Sequence, residues 1–476
     1  MTSLHSGMQR VLTSETIKYI DKKVRVCGWV KTIRSHGKII FIDLRDRSGL
    51  LQLVFTPENK DLYEKCQKLR PEWVIGAEGE IKERPKKMIN PKLETGRIEL
   101  QPEKLEIFSQ AKTLPFSIDT SGYEITEEKR LKYRYLDLRR ERMRKNLAIR
   151  QKVIQFMRDF LQKEDFLEVE TPILTKSTPE GARDFLVPSR LEPGKFYALP
   201  QSPQQYKQLL QVSGIEKYFQ IVRCFRDEDP RADRQAEHTQ LDIEMSFVTQ
   251  KEILDLVERL YVSLVKKLFP EKKIQKIPFP RITYATAVKK YHSDKPDLRK
   301  NKSNKNELAF CFVVDFPMFE WHQKEKKWGA QHHPFTKPQT EDVKEIKKNP
   351  KKILAFQYDF ILNGCEIGGG SIRTTNQDVL LAVFEVLGHK PKEIKKQFPY
   401  YFEAFSYGIP PHGGIAPGID RFLATILREP NIREVIAFPK TGDNRDLMMD
   451  LPDEVSEEQL KELHIKITKP KKGNGR

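Results

Sequence analysis

The segment Phe225-Arg226-Asp227-Glu228 constrains this chain more than any other feature, taken with Gln235-Ala236-Glu237-His238-Thr239-Gln240 a few residues on. An arginine and a glutamate two residues apart suit a strand, where period 2 puts both on one face. There the guanidinium can grip a phosphate while the carboxylate takes amine or hydroxyl donors. The stretch between, Asp229-Pro230-Arg231-Ala232-Asp233-Arg234, is charged and holds a proline, so it reads as a loop joining two strands. Alone, such a loop is equally a solvated surface hairpin. Two downstream pieces weigh against that. One is Glu366-Ile367-Gly368-Gly369-Gly370-Ser371-Ile372-Arg373; the other is Gly413-Gly414-Ile415-Ala416-Pro417-Gly418-Ile419-Asp420-Arg421.

A chain of 476 residues is too long for one core, so two or more domains are expected. With 32% charged and 38% hydrophobic residues and no apolar run of about 18, a soluble protein without membrane partners is expected. Residues 1–7 lack a basic region followed by an apolar one, so no secretory signal is expected. The formal charge of +18 favours a polyanionic partner, since surface lysine and arginine attract phosphate backbones by releasing counterions. Solubility alone would also explain it. The five cysteines (Cys27, Cys66, Cys224, Cys311, Cys365) are scattered, with no Cys-x-x-Cys pair. Neither a zinc site nor a disulfide framework is supported, and a reducing cytoplasm fits.

Residues 24–105 read as short strands. Val24 and Val26 alternate with Arg25 and Cys27, and Ile40, Ile42 and Leu44 alternate with Phe41, Asp43 and Arg45. Leu51, Leu53 and Phe55 alternate with Gln52 and Val54, and Ser48-Gly49 marks a turn. Several short strands in so few residues suggest a small barrel. Residues 113–137 turn irregular and charged and read as a hinge. A helix follows, with Leu147, Val153, Ile154, Met157, Phe160 and Leu161 near helical spacing, ending near Lys163-Glu164-Asp165. Phe166 then begins an extended stretch into Thr171-Pro172. The remainder alternates strands and helices, as an antiparallel sheet flanked by helices would. Residues 269–311 become rich in lysine and asparagine and read as an exposed linker.

Together these pieces resemble the class II aminoacyl-tRNA synthetases, and specifically their bacterial-type aspartyl branch. Phe166-Leu167-Glu168-Val169-Glu170-Thr171-Pro172 is similar to motif 1 of that class, Phe225-Arg226-Asp227-Glu228 to motif 2, and Gly418-Ile419-Asp420-Arg421 to motif 3. The resemblance implies an α+β protein. An N-terminal OB-fold anticodon-binding barrel (1–110) and a hinge (111–140) precede a catalytic domain (141–476) built on an antiparallel sheet flanked by helices. It also implies a homodimer formed by the motif 1 helix and strand, although a helix buried within one subunit fits the same pattern. The usual bacterial insertion domain is missing. Within a shortened linker region (271–310), only about a dozen residues join Ser293-Asp294-Lys295-Pro296-Asp297-Leu298-Arg299 to Val314-Asp315-Phe316-Pro317-Met318-Phe319-Glu320.

The implied activity joins aspartate to tRNA at the expense of ATP. A carboxylate of the substrate attacks the α-phosphate, so the protein supplies positioning and charge neutralisation. The resemblance assigns Arg226 to the α-phosphate, Arg421 to the terminal phosphates and Glu228 to the adenine end. ATP contacts also fall to Asp227, Gln235, His238, Glu366, Gly418, Ile419 and Asp420, with His238 standing where the family usually stacks a phenylalanine on adenine. Magnesium is the expected cofactor, with Asp359, Glu366 and Glu244 around it. Lys207 and Arg373 form the clamp for the side-chain carboxylate of aspartate, with His332 as a further donor. Ser202, Gln204 and Asp242 receive the α-ammonium side, and Glu180 lies on a closing loop. Gly368-Gly369-Gly370 is expected to allow close backbone approach to substrate. In the barrel, Arg34, His36, Phe41, Gln52 and Lys87 are the anticodon candidates, although Phe41 reads equally as core. His36 has the form seen in enzymes that charge both aspartate and asparagine tRNAs. Lys87 has the form often seen in enzymes restricted to aspartate tRNA, and the balance leans to relaxed charging.

Overall fold

The structure is a computed structural model describing residues 8–177, 182–228 and 233–468. The chain divides into two units, Met1–Ser117 and Ile118–Arg476.

The first unit is a closed five-stranded barrel. Its strands are β1 (Lys23–His36), β2 (Ile39–Arg45), β3 (Leu50–Phe55), β4 (Val74–Glu83) and β5 (Ile98–Ser109), joined in the order β1-β2-β3-β5-β4. Helix α1 (Lys60–Gln67) links β3 to β4, with Asn59 capping its N-terminus. The alternation in the sequence becomes the inside and outside of the barrel. Ile40, Ile42, Leu44, Leu51, Leu53 and Phe55 fill the core, while Phe41 stays outside it.

The second unit is built on an eight-stranded sheet. Helix α2 (Glu141–Lys163) buries Met143, Asn146, Val153, Met157 and Leu161, one stripe at helical spacing. It stops where Asp165 takes a left-handed φ of 65°. The edge strand β6 (Leu167–Glu168) follows, then α3 (Gln204–Val212), β7 (Lys217–Phe225) and β8 (Glu237–Ser246). Helix α4 (Gln250–Leu268) begins at a capping box between Thr249 and Glu252. Next come β9 (Arg281–Thr283), α5 (Tyr284–Tyr291), β10 (Phe310–Pro317), β11 (Leu354–Leu362), β12 (Cys365–Ile372), β13 (His412–Pro417) and α6 (Ile419–Leu427). The spatial order is β9-β10-β11-β12-β13-β8-β7-β6. All neighbours are antiparallel except the two outer pairs, β9 with β10 and β6 with β7.

One face of this sheet is apolar. Leu241, Ile243 and Met245 of β8, Phe310 and Phe312 of β10 and Phe360 of β11 pack against α2, α4 and α6. Tyr261 of α4 sits edge-on to Phe360 and Phe422, with ring centroids 4.8 and 5.0 Å away. The opposite face carries the polar alternates Gln240, Asp242 and Glu244, all buried. A two-sided buried strand is normally apolar throughout. Charges on one side of β8 therefore mark the functional face.

Two stretches differ from their reading in sequence. Residues 113–137 include the short helices Glu127–Lys132 and Arg134–Asp137, and the charges of Arg130, Arg134 and Asp137 are paired and buried. Asp137 accepts from Arg130, Arg134 and Arg140, while Arg130 also grips Glu434 at 2.7 Å. Burial opposes the Asp137 carboxylate, and these guanidiniums overcome it and hold its pKa below the usual range. Composition cannot distinguish charges paired in this way from solvated ones. Likewise, 269–311 is mostly ordered: it contributes β9, α5 and a two-stranded pairing of Lys273–Ile274 with Glu307–Leu308. No helix among the described residues is long and apolar enough to cross a membrane.

Candidate active site

Above the polar face of β8 lies a cavity of about 350 Å³. Three elements build its inner end. Asp242 and Glu244 project from β8, Lys207 from α3, and Arg373 follows the last residue of β12. Lys207 Nζ lies 2.7 Å from Asp242 Oδ1 and 3.3 Å from Glu244 Oε2. Arg373 donates to both oxygens of Glu244, at 2.9 and 3.0 Å, and to Ser371 Oγ at 2.6 Å. A bidentate pair of this kind fixes the guanidinium in one plane. Burial alone would raise the Glu244 pKa, but Arg373 and Lys207 reverse it and hold it at about 2. Asp242 is raised, because its burial outweighs Lys207.

Glu244 is thus the anchor of both cations. It was expected near the metal; instead both of its oxygens are engaged behind the clamp. The clamp needs glycine at Gly414, where a Cβ would stand 2.0 Å from Ile243 O and 2.3 Å from Glu244 Oε2. The glycine run in β12 has a similar cause. A Cβ at Gly370 would stand 2.2 Å from Gly414 O and 2.6 Å from the Tyr358 ring. Strand packing, beyond any approach to substrate, demands these residues.

The outer end gathers different residues. Arg226 and Glu228 follow β7, His238 is the second residue of β8, Glu366 sits on β12 and Arg421 on α6. All five line the same cavity as Lys207, Arg373, Ser202, Gln204, Gln235, Asp242, His332, Gly418 and Asp420. Arg226 and Glu228 were expected within a strand, but β7 ends at Phe225 and they lie in the loop beyond it. Arg226 Nε donates to Gln201 O at 3.3 Å, and Glu228 pairs with Arg234 at 2.7 Å. Gln235 accepts from the Lys440 backbone at 2.8 Å. Burial, with Arg226 and Arg421 adding to it, pushes the His238 pKa down to about 3. Its imidazole is therefore neutral at physiological pH. Asp420 accepts from Thr239 N–H at 2.9 Å and pairs with Arg150, tying α6 to the sheet and α2. Ile419 is buried in the core beneath the cavity, and Asp227 faces Arg183 at 3.6 Å. Neither lines the cavity. Glu180 lies outside the described residues.

A β-bulge explains how Glu366 reaches this face. Asp359 of β11 stands opposite Gly369, and Ile361 opposite Glu366, with a register shift between. Regular pairing would place Ile367 opposite Ile361. The extra residue turns Ile367 into the core and Glu366 onto the side of Asp359. Burial opposes the Glu366 carboxylate, and Lys295 and Arg421 overcome it and hold its pKa below the ordinary range. Asp359 lies deeper, buried, with its pKa raised by that burial. No group of three or more His, Cys, Asp and Glu that could hold a metal occurs among the described residues. Two carboxylates on one face, beside a cavity open to phosphates, fit a magnesium ion completed by substrate oxygens but not an all-protein cage.

Two residues were missed in sequence. The first is His333, next to the predicted His332; neither lies in a strand, and the two divide their work. His332 Nε2 is 3.3 Å from Asp359 Oδ1, whereas His333 Nε2 is 2.7 Å from Arg373 Nη1. Arginine only donates, so His333 Nε2 accepts and its proton sits on Nδ1. That buried Nδ1 has no hydrogen-bond partner in the structure. Burial next to Arg373 and Lys207 holds its pKa well below the usual value. The second missed residue is Lys295, whose Nζ lies 2.8 Å from Glu366 Oε2. Its sequence context marked it only as the flank of a missing domain.

In the barrel, Arg34 of β1 stands opposite Phe41 of β2, and Asp43 opposite Gln52 of β3, all on the outer face. Arg34 donates to Asp43 at 2.9 Å and reaches Gln52 Oε1 at 3.5 Å. His36 ends β1, and Lys87 lies in the turn between β4 and β5. Both are exposed.

Residues 126–442 match the model of the tRNA synthetases class II (D, K and N), and residues 24–108 match that of the OB-fold nucleic acid binding domain. The chain belongs to the class II tRNA synthetase family and carries an OB-fold domain ahead of its catalytic part. It is 41% identical to the aspartate–tRNA(Asp/Asn) ligase of Rubrobacter xylanophilus, covering 95% of each chain. To the enzyme of the same description from Dictyoglomus turgidum it is 40% identical, covering 95% of this chain and 97% of the other. The first alignment spans 574 positions, more than the 476 residues of this chain, so that relative carries residues this one lacks. Among solved structures, it resembles Pyrococcus horikoshii asparaginyl-tRNA synthetase complexed with asparaginyl-adenylate. The TM-score is 0.73 at 26% identity, over 91% of this chain and 98% of that one. A putative aspartyl-tRNA synthetase from Leishmania major shares the fold, with a TM-score of 0.74 at 21% identity, over 92% and 95% of the two chains.

Proposed function

We propose that this protein activates L-aspartate with ATP and transfers it to tRNA, as the descriptions of its relatives suggest for them. The observation that carries this reading is the charge balance of the inner cavity. Lys207 and Arg373 are matched by Asp242 and Glu244, so the clamp is neutral before substrate binds. Aspartate brings an ammonium for Asp242 and a side-chain carboxylate for the two cations, which keeps the sum at zero. Asparagine would bring the ammonium alone and leave one buried positive charge without a counterion, which is costly. His333 Nδ1–H and His332 are donors for the same carboxylate, while Ser202 and Gln204 face the ammonium.

The α-carboxylate then points to the outer end. It attacks the α-phosphorus of ATP, the bond to pyrophosphate breaks, and aspartyl-adenylate forms. Arg226 neutralises the α-phosphate, Arg421 the terminal phosphates, and Glu228 and Gln235 hold the adenosine end. His238, being neutral, stacks on adenine without adding charge. Magnesium, held by Glu366 with Asp359 behind it, would supply neutralisation of the phosphate oxygens. The 3′-hydroxyl of the terminal adenosine attacks the adenylate carbonyl and AMP leaves.

Arg34, Phe41 and Gln52 form the anticodon face, with His36 and Lys87 at the two loops that OB folds use for nucleic acid. The longer alignments of the relatives support a missing insertion domain, which the family resemblance puts between Arg299 and Val314. A homodimer is supported by the half-exposed apolar residues Leu167, Ile173 and Leu174 next to the edge of the sheet. Five free thiols support a cytoplasmic enzyme.

The test is charging of purified aspartate and asparagine tRNAs with labelled L-aspartate. The proposal expects both to be charged. Charging of aspartate tRNA alone would restrict the specificity, and charging of neither would overturn the function.

A further inference from the structure

The loop holding Lys295 is built, and it is aimed at the nucleotide end. Ser293 Oγ accepts from Lys295 N–H at 3.0 Å, and Asp297 holds Arg299 through paired bonds of 3.0 and 2.8 Å. Leu298 packs against the core around Cys311 and Phe316. Asp297 itself lies over the turn from β11 to β12. A Cβ on Gly364, whose φ is +80°, would stand 3.1 Å from the Asp297 Cβ. Gly364 precedes Glu366 by two residues. The loop is thus seated on the turn that presents Glu366, and its lysine ends 2.8 Å from that carboxylate.

Glu366 Oε2 therefore faces two cations, Lys295 at 2.8 Å and Arg421 Nη1 at 3.9 Å. Arg421 also pairs with Asp233 at 3.4 Å and is held by Asp233 and Glu366 backbone oxygens at 3.1 and 3.2 Å. Among the described residues Lys295 has one carboxylate, Glu366, within ion-pairing distance, a side chain about one third exposed and a flexible stem. An ammonium and a divalent cation on the same carboxylate oxygen repel each other, so the two compete for it. Terminal phosphates arriving beside Arg421 offer the ammonium a stronger anionic partner.

Resting on the reading of this cavity as an ATP site, we infer that Lys295 is a phosphate-binding residue. Without nucleotide its ammonium occupies the Glu366 carboxylate. With nucleotide it moves to the terminal phosphates and frees that carboxylate for the metal.

The test uses the full chain, comparing wild type with Lys295→Met and Lys295→Arg. One measurement is binding of manganese alone, read from the free-ion magnetic resonance signal. The other is calorimetric binding of the magnesium complex of α,β-methylene-ATP. Lys295→Met is expected to bind the analogue about tenfold more weakly, since one charge-assisted contact is lost. The same variant binds manganese several-fold more tightly, since the competitor is gone. Lys295→Arg retains most of the analogue affinity. A purely structural role would weaken both probes together or neither, and either result overturns the inference. If methionine is not tolerated, Lys295→Gln carries the same two expectations. Wild-type protein that fails to bind the analogue would overturn the ATP-site reading itself.

Discussion

Glu244 shows how one side chain can govern a site it does not line. Each of its oxygens holds a cation, with Arg373 at 2.9 and 3.0 Å and Lys207 at 3.3 Å. Glu244→Gln leaves two buried charges poorly matched, and breaking a buried pair costs about 3–5 kcal/mol. Denaturant unfolding should show a loss of that order, and KM for aspartate should rise more than KM for ATP. The sign of the pH dependence follows from its depressed pKa. The stabilisation is complete above the ordinary carboxylate pKa and is lost as pH falls toward about 2. Aspartate KM should therefore show no titration of this carboxylate between about pH 5 and 9. His238 gives a second prediction at this scale. Its pKa of about 3 keeps it neutral, so His238→Phe exchanges one uncharged ring for another. ATP KM should stay within about twofold of wild type, and it should show no inflection between pH 5 and 9 traceable to this residue. The family resemblance singled out Lys207, Arg373, Arg226 and Arg421, residue types suited to binding anions. Sequence hid His333 and Lys295, whose roles arise from a bend and a seated loop that no local pattern announces.

At the scale of the element, β8 was legible and β12 only partly so. The alternation of Leu241, Ile243 and Met245 with Gln240, Asp242 and Glu244 already separates a core face from a polar one. The bulge that turns Glu366 toward Asp359 depends on pairing with β11, so it cannot be read from β12 alone. The charged composition of 113–137 misled for a related reason: Asp137 finds its three arginines only after the chain folds. Two predictions belong here. Gly414→Ala should destabilise the protein and weaken aspartate binding, because its Cβ would meet both strand backbone and the Glu244 carboxylate. On the barrel, Phe41 lies outside the core on the face with Arg34 and Gln52. Phe41→Ala should weaken tRNA binding by about 1–3 kcal/mol, the worth of one stacked base. Adenylate formation should be untouched, so filter binding and pyrophosphate exchange respond differently.

For the whole molecule, the formal charge of +18 becomes a statement about association. KM for tRNA should rise with salt, with a steep log–log slope, while KM for aspartate changes little. Sedimentation should give twice the 55.8 kDa of the chain. The proposed preference for a side-chain carboxylate over an amide rests on the neutral clamp. It is tested most directly by amino-acid-dependent exchange of pyrophosphate into ATP, with L-aspartate and L-asparagine, in wild type and Lys207→Met. The account predicts strong preference for aspartate in the wild type. In the variant it predicts a large loss for aspartate, with ATP KM within about twofold of wild type. Equal losses for aspartate and ATP, or a wild type that activates asparagine as readily, would contradict it.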